Sequence, residues 1–468
     1  MNAYKKLIKN SGIFAIANMG SKLISILLVP YYTYVLTTEQ YGRIDMLTTS
    51  ISLILPIITA SIFDATLRFA TKSEYDEKSI FSSSILVVIL GNMIFLLLYP
   101  LIKRISLVKD FEVLFYLILI MQSCNTLCAQ FSRGIGRIKQ FALNGVIYTV
   151  ITVVLNIFLL SKFNMGIQGY LISIIIGYTI CNIYLIISIK LWEYISYKAY
   201  DKNLVKEMLK YSIPLIPNTL MWWVMNASDR YAIAFFMGVS ANGIYAIANK
   251  IPTVLNVLYS IFSQAWQLSA IEESESRSKS KFYTDVFNVF SVLMILATSI
   301  IIVFVRPLVE SILSVGYINV WRYVPLLLLA VVFTSYSSFL GTNYIAMKDT
   351  RGVFITSLIG AILNIILNLI LIPRMGLNGA ALATMVSFFI VWIIRIYDTR
   401  KFVTIKMNLK SLFLSLFIIF SQIDVLYIYD KYYIIVEIGL LVLLLLVNKN
   451  IFKFIIKNII TRSKKTIN

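Results

Sequence analysis

The chain has 468 residues, of which 59% are hydrophobic and only 14% charged. A water-soluble core cannot absorb that much apolar surface, so the composition excludes a soluble globular protein and points to a helical chain that crosses a membrane many times. A formal net charge of +20 with no histidine would suggest nucleic acid in a soluble protein; here cytoplasmic loops and anionic lipid account for it, and no nucleic-acid partner is expected.

Apolar windows separated by charge clusters delimit fourteen expected spans. They lie at 10–35, 44–67, 80–102, 112–132, 141–161, 167–189, 208–235, 243–265, 283–305, 320–346, 352–372, 377–396, 408–424 and 431–448. Lys and Arg are roughly three times as abundant in one set of alternate loops as in the other, which places both termini in the cytoplasm. The basic opening MNAYKKLIKN runs into a span-length apolar stretch without a small-residue cleavage site, so no removable signal is expected. Cys124, Cys128 and Cys181 all fall inside spans and read as small packing residues. Inside loops are longest at 190–207 and 266–282, the latter polar and amphipathic; outside turns such as SANG (240–243) and RMGLNG (374–379) are short.

The two halves resemble each other. Ser11 and Ser212 open the first and seventh spans, and Gly42 and Gly243 the second and eighth, both pairs 201 residues apart. Lys139 and Arg351 precede later spans, and Leu155-Asn156 recurs as Leu367-Asn368, all at an offset of 212. MGIQG (165–169) then matches MGLNG (375–379). Six spans per copy is an even number, so the copies share one orientation: a parallel repeat about an axis along the membrane normal. The expected fold is therefore an all-α polytopic membrane protein with about fourteen transmembrane helices. Residues 1–200 and 201–400 form two six-helix lobes around a central cavity suited to alternating access, and 401–468 add two helices and a basic cytoplasmic tail.

Ionisable side chains inside spans are costly and suggest function. Lys22 lies about halfway through the first span, with Asn18 one turn earlier on the same face. Asp64 and Arg68 are expected to form an i,i+4 pair in the second span. Asp229 and Arg230 are adjacent in the seventh, either neutralising each other at a helix contact or serving a ligand. Lys250 sits about 10 Å into the eighth at 1.5 Å per residue. Basic residues outnumber acidic ones in this set, which suits an anionic ligand such as a diphosphate, with Lys22, Arg68, Arg230 and Lys250 as candidate binding residues. Asp64 and Asp229 are candidates for ion coupling or charge balance. Pro214 and Pro217 (SIPLIP) should interrupt the hydrogen-bond ladder of the seventh span and give it a kink or hinge. Trp222 and Trp223 are candidates for stacking on sugar rings, against a packing role, and Glu437 reads as interfacial. No metal site is indicated.

LTTEQYGRIDML (36–47), DRYAIAFFMGVSANGIYAIANKIP (229–252) and GTNYIAMKDTRGVFITSLIGAILNIILNLILIPRMGLNGAALATMVS (341–387) resemble the polysaccharide-transport branch of the multidrug/oligosaccharidyl-lipid/polysaccharide exporter superfamily. The nearest likeness is to the Wzx-type flippases of O-antigen and capsule repeat units. The resemblance implies two six-helix lobes around a cationic cavity and translocation of an undecaprenyl-diphosphate-linked oligosaccharide to the outer leaflet of a bacterial inner membrane. It carries Arg68, Arg230 and Lys250 into cavity positions; Lys22 is placed there by depth alone. It further implies a monomer without organic cofactor, with H⁺ or Na⁺ the candidates for coupling, and with membrane lipid, a polysaccharide polymerase and chain-length proteins as partners. A cation-coupled multidrug antiporter of the same superfamily is the alternative, and it predicts an acidic cavity. A glycan polymerase or ligase is disfavoured, because the outer turns are short and carry no catalytic constellation.

Overall fold

The computed structural model describes residues 20, 22, 24–71, 74–196, 199–272, 279–347, 349–428 and 432–451. Ser11, the first half of the first expected span and the basic tail at 452–468 lie outside them. The described residues form helices joined by turns, with no strand. They group into two compact units, Met1–Ala246 and Ile247–Asn468.

In the first unit α1 (Ile24–Val35) leads into α2 (Thr38–Ile58). A reciprocal cap opens α2: the Gln40 N–H donates to Thr37 Oγ1 at 3.2 Å and the Thr37 N–H to Gln40 Oε1 at 3.0 Å. The second expected span does not run straight. Ala60 and Ser61 both take φ of 49°, and α3 (Ile62–Ala70) departs from α2 at 61°. Pro56, which cannot donate to the ladder, lies one turn before this break. Next come α4 (Glu77–Leu97), α5 (Glu112–Gly134), α6 (Ile138–Lys162), which ends in a π turn, and α7 (Gly166–Ile189). The amphipathic α8 (Lys202–Ser212), capped by Asp201, and a 3₁₀ turn at Ile213–Leu215 precede α9 (Ile216–Met237). Pro214 lies in that turn and Pro217 in the first turn of α9, both exposed, where the missing N–H is tolerated. Gly238, at φ 91°, reverses the chain into α10 (Val239–Ala248).

In the second unit follow α11 (Thr253–Glu272), α12 (Lys279–Ile312) and α13 (Val324–Ala346). α14 (Thr350–Asp398) bends at Gly376, whose φ of 58° divides it into the eleventh and twelfth expected spans. α15 (Leu409–Ile428) and α16 (Tyr433–Val447) close the chain and pack on α12 and on each other.

The eighth expected span is also broken: Asn249–Pro252 form turns between α10 and α11. The expected loop at 266–282 is in part helix, because α11 continues to Glu272 and Trp266 is buried against Phe339 with ring centroids 4.1 Å apart. Among the described residues eight helices are long and apolar enough to cross a membrane, and nine with the bent α2/α3 pair. The remaining expected spans fall short for local reasons: a break at 249–252, charges in α9, only 15 residues in α16, and α14 holding two spans. This is a multi-pass membrane protein.

Each unit has an apolar core crossed by polar contacts. In the first, Ile62, Phe81, Phe131, Leu185 and Met208 join α3, α4, α5, α7 and α8. Beside them Asn125, Asn144 and Asn182 bond one another across α5, α6 and α7 at 3.0–3.2 Å. Buried amides cost free energy unless paired, so such a network fixes how three helices meet. Offsetting Asn125 and Asn144 by 212 gives Ser337 and Thr356, which are likewise buried and meet between α13 and α14 through Arg395. The two polar contacts thus occupy positions one repeat offset apart. Cys124, Cys128 and Cys181 are free thiols.

Candidate functional site

A cluster of charged and polar side chains in the first unit lies where α2, α9 and α10 cross. Gly42 and Gly243 bring α2 and α10 into backbone contact: a Cβ at Gly42 would overlap the Val239 carbonyl oxygen, and one at Gly243 the Thr38 carbonyl oxygen. Thr38 and Ser240 hydroxyls lie 2.5 Å apart, and Asn242 Nδ2 donates to the Gly42 carbonyl at 3.1 Å. The side chains of Arg230 and Asp45 at this crossing are only 16% and 13% exposed, so their charges must find protein partners.

They do. Arg230 Nε lies 2.7 Å from Asp45 Oδ2, and Arg230 Nη1 donates to the Asn226 carbonyl at 2.9 Å. Asn242 Nδ2 also reaches Asp45 Oδ2, at 3.4 Å. Asp229 has partners of its own. Its Oδ2 accepts from the buried Tyr245 hydroxyl at 2.5 Å and its Oδ1 from the Arg230 backbone N–H at 2.9 Å. Successive residues on a helix diverge by about 100°, so Asp229 turns to α10 while Arg230 turns to α2. Asp45 takes the guanidinium at contact distance, while Asp229 engages Tyr245 and the Arg230 backbone. Sequence reasoning misses Asp45, because it sits at the edge of an expected span. The usable signal is its spacing from Gly42: three residues on, it shares the helix face that must touch α10.

One turn further along the same face, Tyr231 and Ser50 hydroxyls lie 2.7 Å apart. Trp223 Nε1 donates to the Thr49 carbonyl and Ser52 Oγ, both at 3.2 Å. Ser50, Trp223, Ser228 and Tyr231 give a polar rim to an otherwise apolar cavity of about 360 Å³, walled by Leu53, Ile54 and residues between Ile102 and Phe115. Arg43 pins that wall, donating to the carbonyls of Ser106, Leu107 and Lys109 while lying 4.7 Å over the Phe111 ring.

The other expected residues are dispersed. Lys22 is helical and exposed. Asp64 and Arg68 are both exposed on α3 and make no ion pair with each other: the Arg68 guanidinium lies 4.2 Å over the Tyr211 ring of α8 instead. Lys250 does not lie in an unbroken span but in the turn between α10 and α11, half-exposed, with no carboxylate partner among the described residues of its own unit. Glu437, read from sequence as interfacial, is fully buried among helices of the second unit.

The second unit holds a buried cation that sequence reasoning also misses. Arg395 is 1% exposed. Its Nε donates to Thr356 Oγ1 at 3.0 Å, Nη1 to the Ser337 carbonyl at 3.0 Å and Nη2 to Ser357 Oγ at 3.2 Å. Gly341 leaves the room its guanidinium needs. Beyond it, Tyr344 donates to Asp398 at 2.5 Å, and Lys401 bridges Asp398 and Asp349 at 3.3 and 3.2 Å, beside a polar pocket of about 320 Å³. The Gly352 N–H and then Lys401 hold the Asp349 carboxyl below the usual carboxylate range, which keeps this cap of α14 ionised. The planar fork of Arg395 meets three neutral acceptors at once, and an ammonium cannot. Arg395→Lys should therefore cost about 2 kcal/mol of stability. Arg395→Met, which removes the buried charge altogether, should cost less. Thermal melts of both variants in detergent check the order.

Residues 7–267, more than half of the chain and including every basic candidate named from sequence, match the model of a family described as polysaccharide biosynthesis protein. The chain belongs to that family. Among relatives of the polysaccharide biosynthesis protein family member described here are two proteins of Methanocaldococcus jannaschii. Uncharacterized membrane protein MJ1375 is 24% identical over 418 residues, covering 84% of this chain and 97% of that protein. Uncharacterized membrane protein MJ1068 is 25% identical over 238 residues, 49% of this chain and 46% of its own length. The fold is shared with two solved transporters. An inward closed structure of lipid II flippase MurJ matches with a TM-score of 0.71 at 17% identity, over 94% of this chain and 98% of that one. An inward-facing multidrug resistance MATE family transporter of the MOP superfamily matches with a TM-score of 0.70 at 12% identity, over 83% and 97%. The fold is therefore the fourteen-helix architecture of these transporters.

Proposed function

We propose that the protein is a flippase that carries an oligosaccharide linked to a polyprenyl diphosphate, undecaprenyl diphosphate in bacteria, from the cytoplasmic to the outer leaflet by alternating access. The observation that carries this reading is the disposition of charge. Lys22 and Lys250 carry exposed or half-exposed ammonium groups with no carboxylate partner among the described residues of their own units, whereas Asp45 and Asp229 are both engaged. Such cations, Lys22 in the first expected span and Lys250 in the turn between α10 and α11, suit an incoming diphosphate, which could not cross bare lipid without them. Family membership in polysaccharide biosynthesis and the fold shared with a lipid II flippase support the same reading. Trp223, Tyr231 and Ser50 offer the glycan an aromatic and hydroxyl-bearing surface, while the polyprenyl tail stays in lipid.

A cation antiporter is the reading the MATE likeness favours. It needs a carboxylate open to the incoming cation, and of the candidates only Asp64 is exposed.

Each lysine replaced by alanine should slow appearance of the glycan in the outer leaflet by about 10–100-fold, as loss of a charged hydrogen bond worth about 1.5–3 kcal/mol implies. The measurement is labelling of the outer-leaflet glycan in a deletion strain carrying Lys22→Ala, Lys250→Ala or both, with membrane abundance of the protein held equal. Wild-type rates in the double variant would refute the proposal. So would a deletion strain that becomes sensitive to cationic drugs without accumulating lipid-linked oligosaccharide.

A further inference from the structure

The two helices outside the repeat, α15 and α16, bury a carboxyl group that neither fold nor cargo accounts for. Glu437 lies four residues into α16 and is fully buried; neither Oε1 nor Oε2 makes a hydrogen bond of good geometry among the described residues, and the Gln422 amide of α15 is the polar group within reach of them. Gln422 is itself fully buried and oriented: its Oε1 accepts from Ser299 Oγ of α12 at 2.8 Å, so its NH₂ group faces α16, where Nε2 lies 3.5 Å from the Glu437 carbonyl.

The charged groups on the packed elements do not neutralise Glu437. On α12, Arg306 pairs with Glu310 at 2.9 Å and lies 5.0 Å over the ring of Tyr433. On α15, Asp424 is exposed and Tyr427 donates to the Arg322 carbonyl. Tyr433, one turn before Glu437 on α16, is a neutral neighbour. An unpaired carboxylate in a dry site is strongly disfavoured, and the available remedy is a proton. An alkali cation would require several oxygen ligands, whereas the amide oxygen of Gln422 is already taken by Ser299.

We propose that Glu437 is a proton-binding site, held as the neutral acid while α12, α15 and α16 are packed together and ionised when that packing opens to water, with Gln422 and Ser299 as its positioning residues. This places a proton-coupling group in the helix pair added to the repeat, and it is independent of the cargo.

The test is infrared difference spectroscopy of the full chain in phosphatidylcholine vesicles, titrated from acid to alkaline pH. A carboxylic-acid carbonyl band should bleach with rising pH, and Glu437→Gln should lose that band. Gln422→Leu keeps the acid but strips its polar neighbour, so it should move the bleaching by about one pH unit to the alkaline side. Persistence of the band in Glu437→Gln, or no shift in Gln422→Leu, would overturn the assignment. Bleaching driven by added Na⁺ at constant pH would also overturn it, in favour of a metal-cation site.

Discussion

Replacing Arg230 by leucine lowers the stability of the protein by about 3 kcal/mol, because it leaves the largely buried Asp45 carboxylate without its cation. Replacing Asp45 by leucine as well restores most of that loss, since a charge pair exchanged for two apolar side chains gives up little net energy. The check is a double-mutant cycle by thermal melting, in which the two single losses must exceed the loss in the double variant. Transport by the same double variant separates two roles for Arg230. If the residue serves structure through Asp45, Asp45→Leu/Arg230→Leu carries cargo at nearly the wild-type rate; if its guanidinium leaves Asp45 to meet a diphosphate, the double variant is stable but inactive.

Valine at Gly243 is expected to be at least as damaging, at about 3 kcal/mol or more, because a side chain there meets main chain rather than a movable side chain. The atoms in the way are the Thr38 carbonyl and the Gly42 nitrogen, both held by the capped first turns of α2. To admit a Cβ, α10 must move away from α2, and the hydrogen bonds of Asn242 to Gly42 and Asp45 lengthen with it. Loss of Asp45 alignment then weakens the Arg230 pair as well. Gly145→Ala, at an exposed position of α6 with nothing near its Cβ, is the matched control and should leave the melting temperature unchanged or slightly raised. Equal behaviour of the two glycine variants would remove the argument that the crossing is close-packed.

These two expectations differ in how far sequence alone reaches them. Gly42 and Gly243 stand out before any coordinates, as residues 201 positions apart at matched places in a repeat. That they touch each other's helices is a tertiary fact. Arg230 is conspicuous as a charge in an apolar stretch, but Asp45 lies nearly two hundred residues away and close to a span boundary. Hydropathy windows average over about 20 residues and cannot rank a charge near their edge. Arg395 and Glu437 are obscured in the same way: each sits near the end of an apolar run, where snorkelling to the interface is the ordinary outcome. Both are instead enclosed by neighbouring helices of their own unit.

The breaks in α2/α3 and at 249–252 follow the same pattern. Pro56 and Pro252 are visible in the sequence, but a proline within a transmembrane helix is often accommodated with only a kink. Here positive φ at Ala60 and Ser61 bends the chain by 61°, and it is the closely packed neighbour at Gly91, whose Cβ would meet the Ile58 carbonyl, that gives the bend its place.

From its residues alone the chain is legible as a polytopic, all-helical membrane protein with an internal six-span repeat and cations in the first two helices of each copy. Those features depend on one-dimensional quantities: the length of apolar runs needed to cross a bilayer, the period of a repeat, and the cost of a charge in hydrocarbon. Which of those charges are spent on partners was decided only by tertiary structure. Whether Arg230 is tied to Asp45, Arg68 laid on Tyr211 or Glu437 enclosed depends on side chains brought within about 3–4 Å from distant parts of the chain, where electrostatic energies rise steeply as water is excluded.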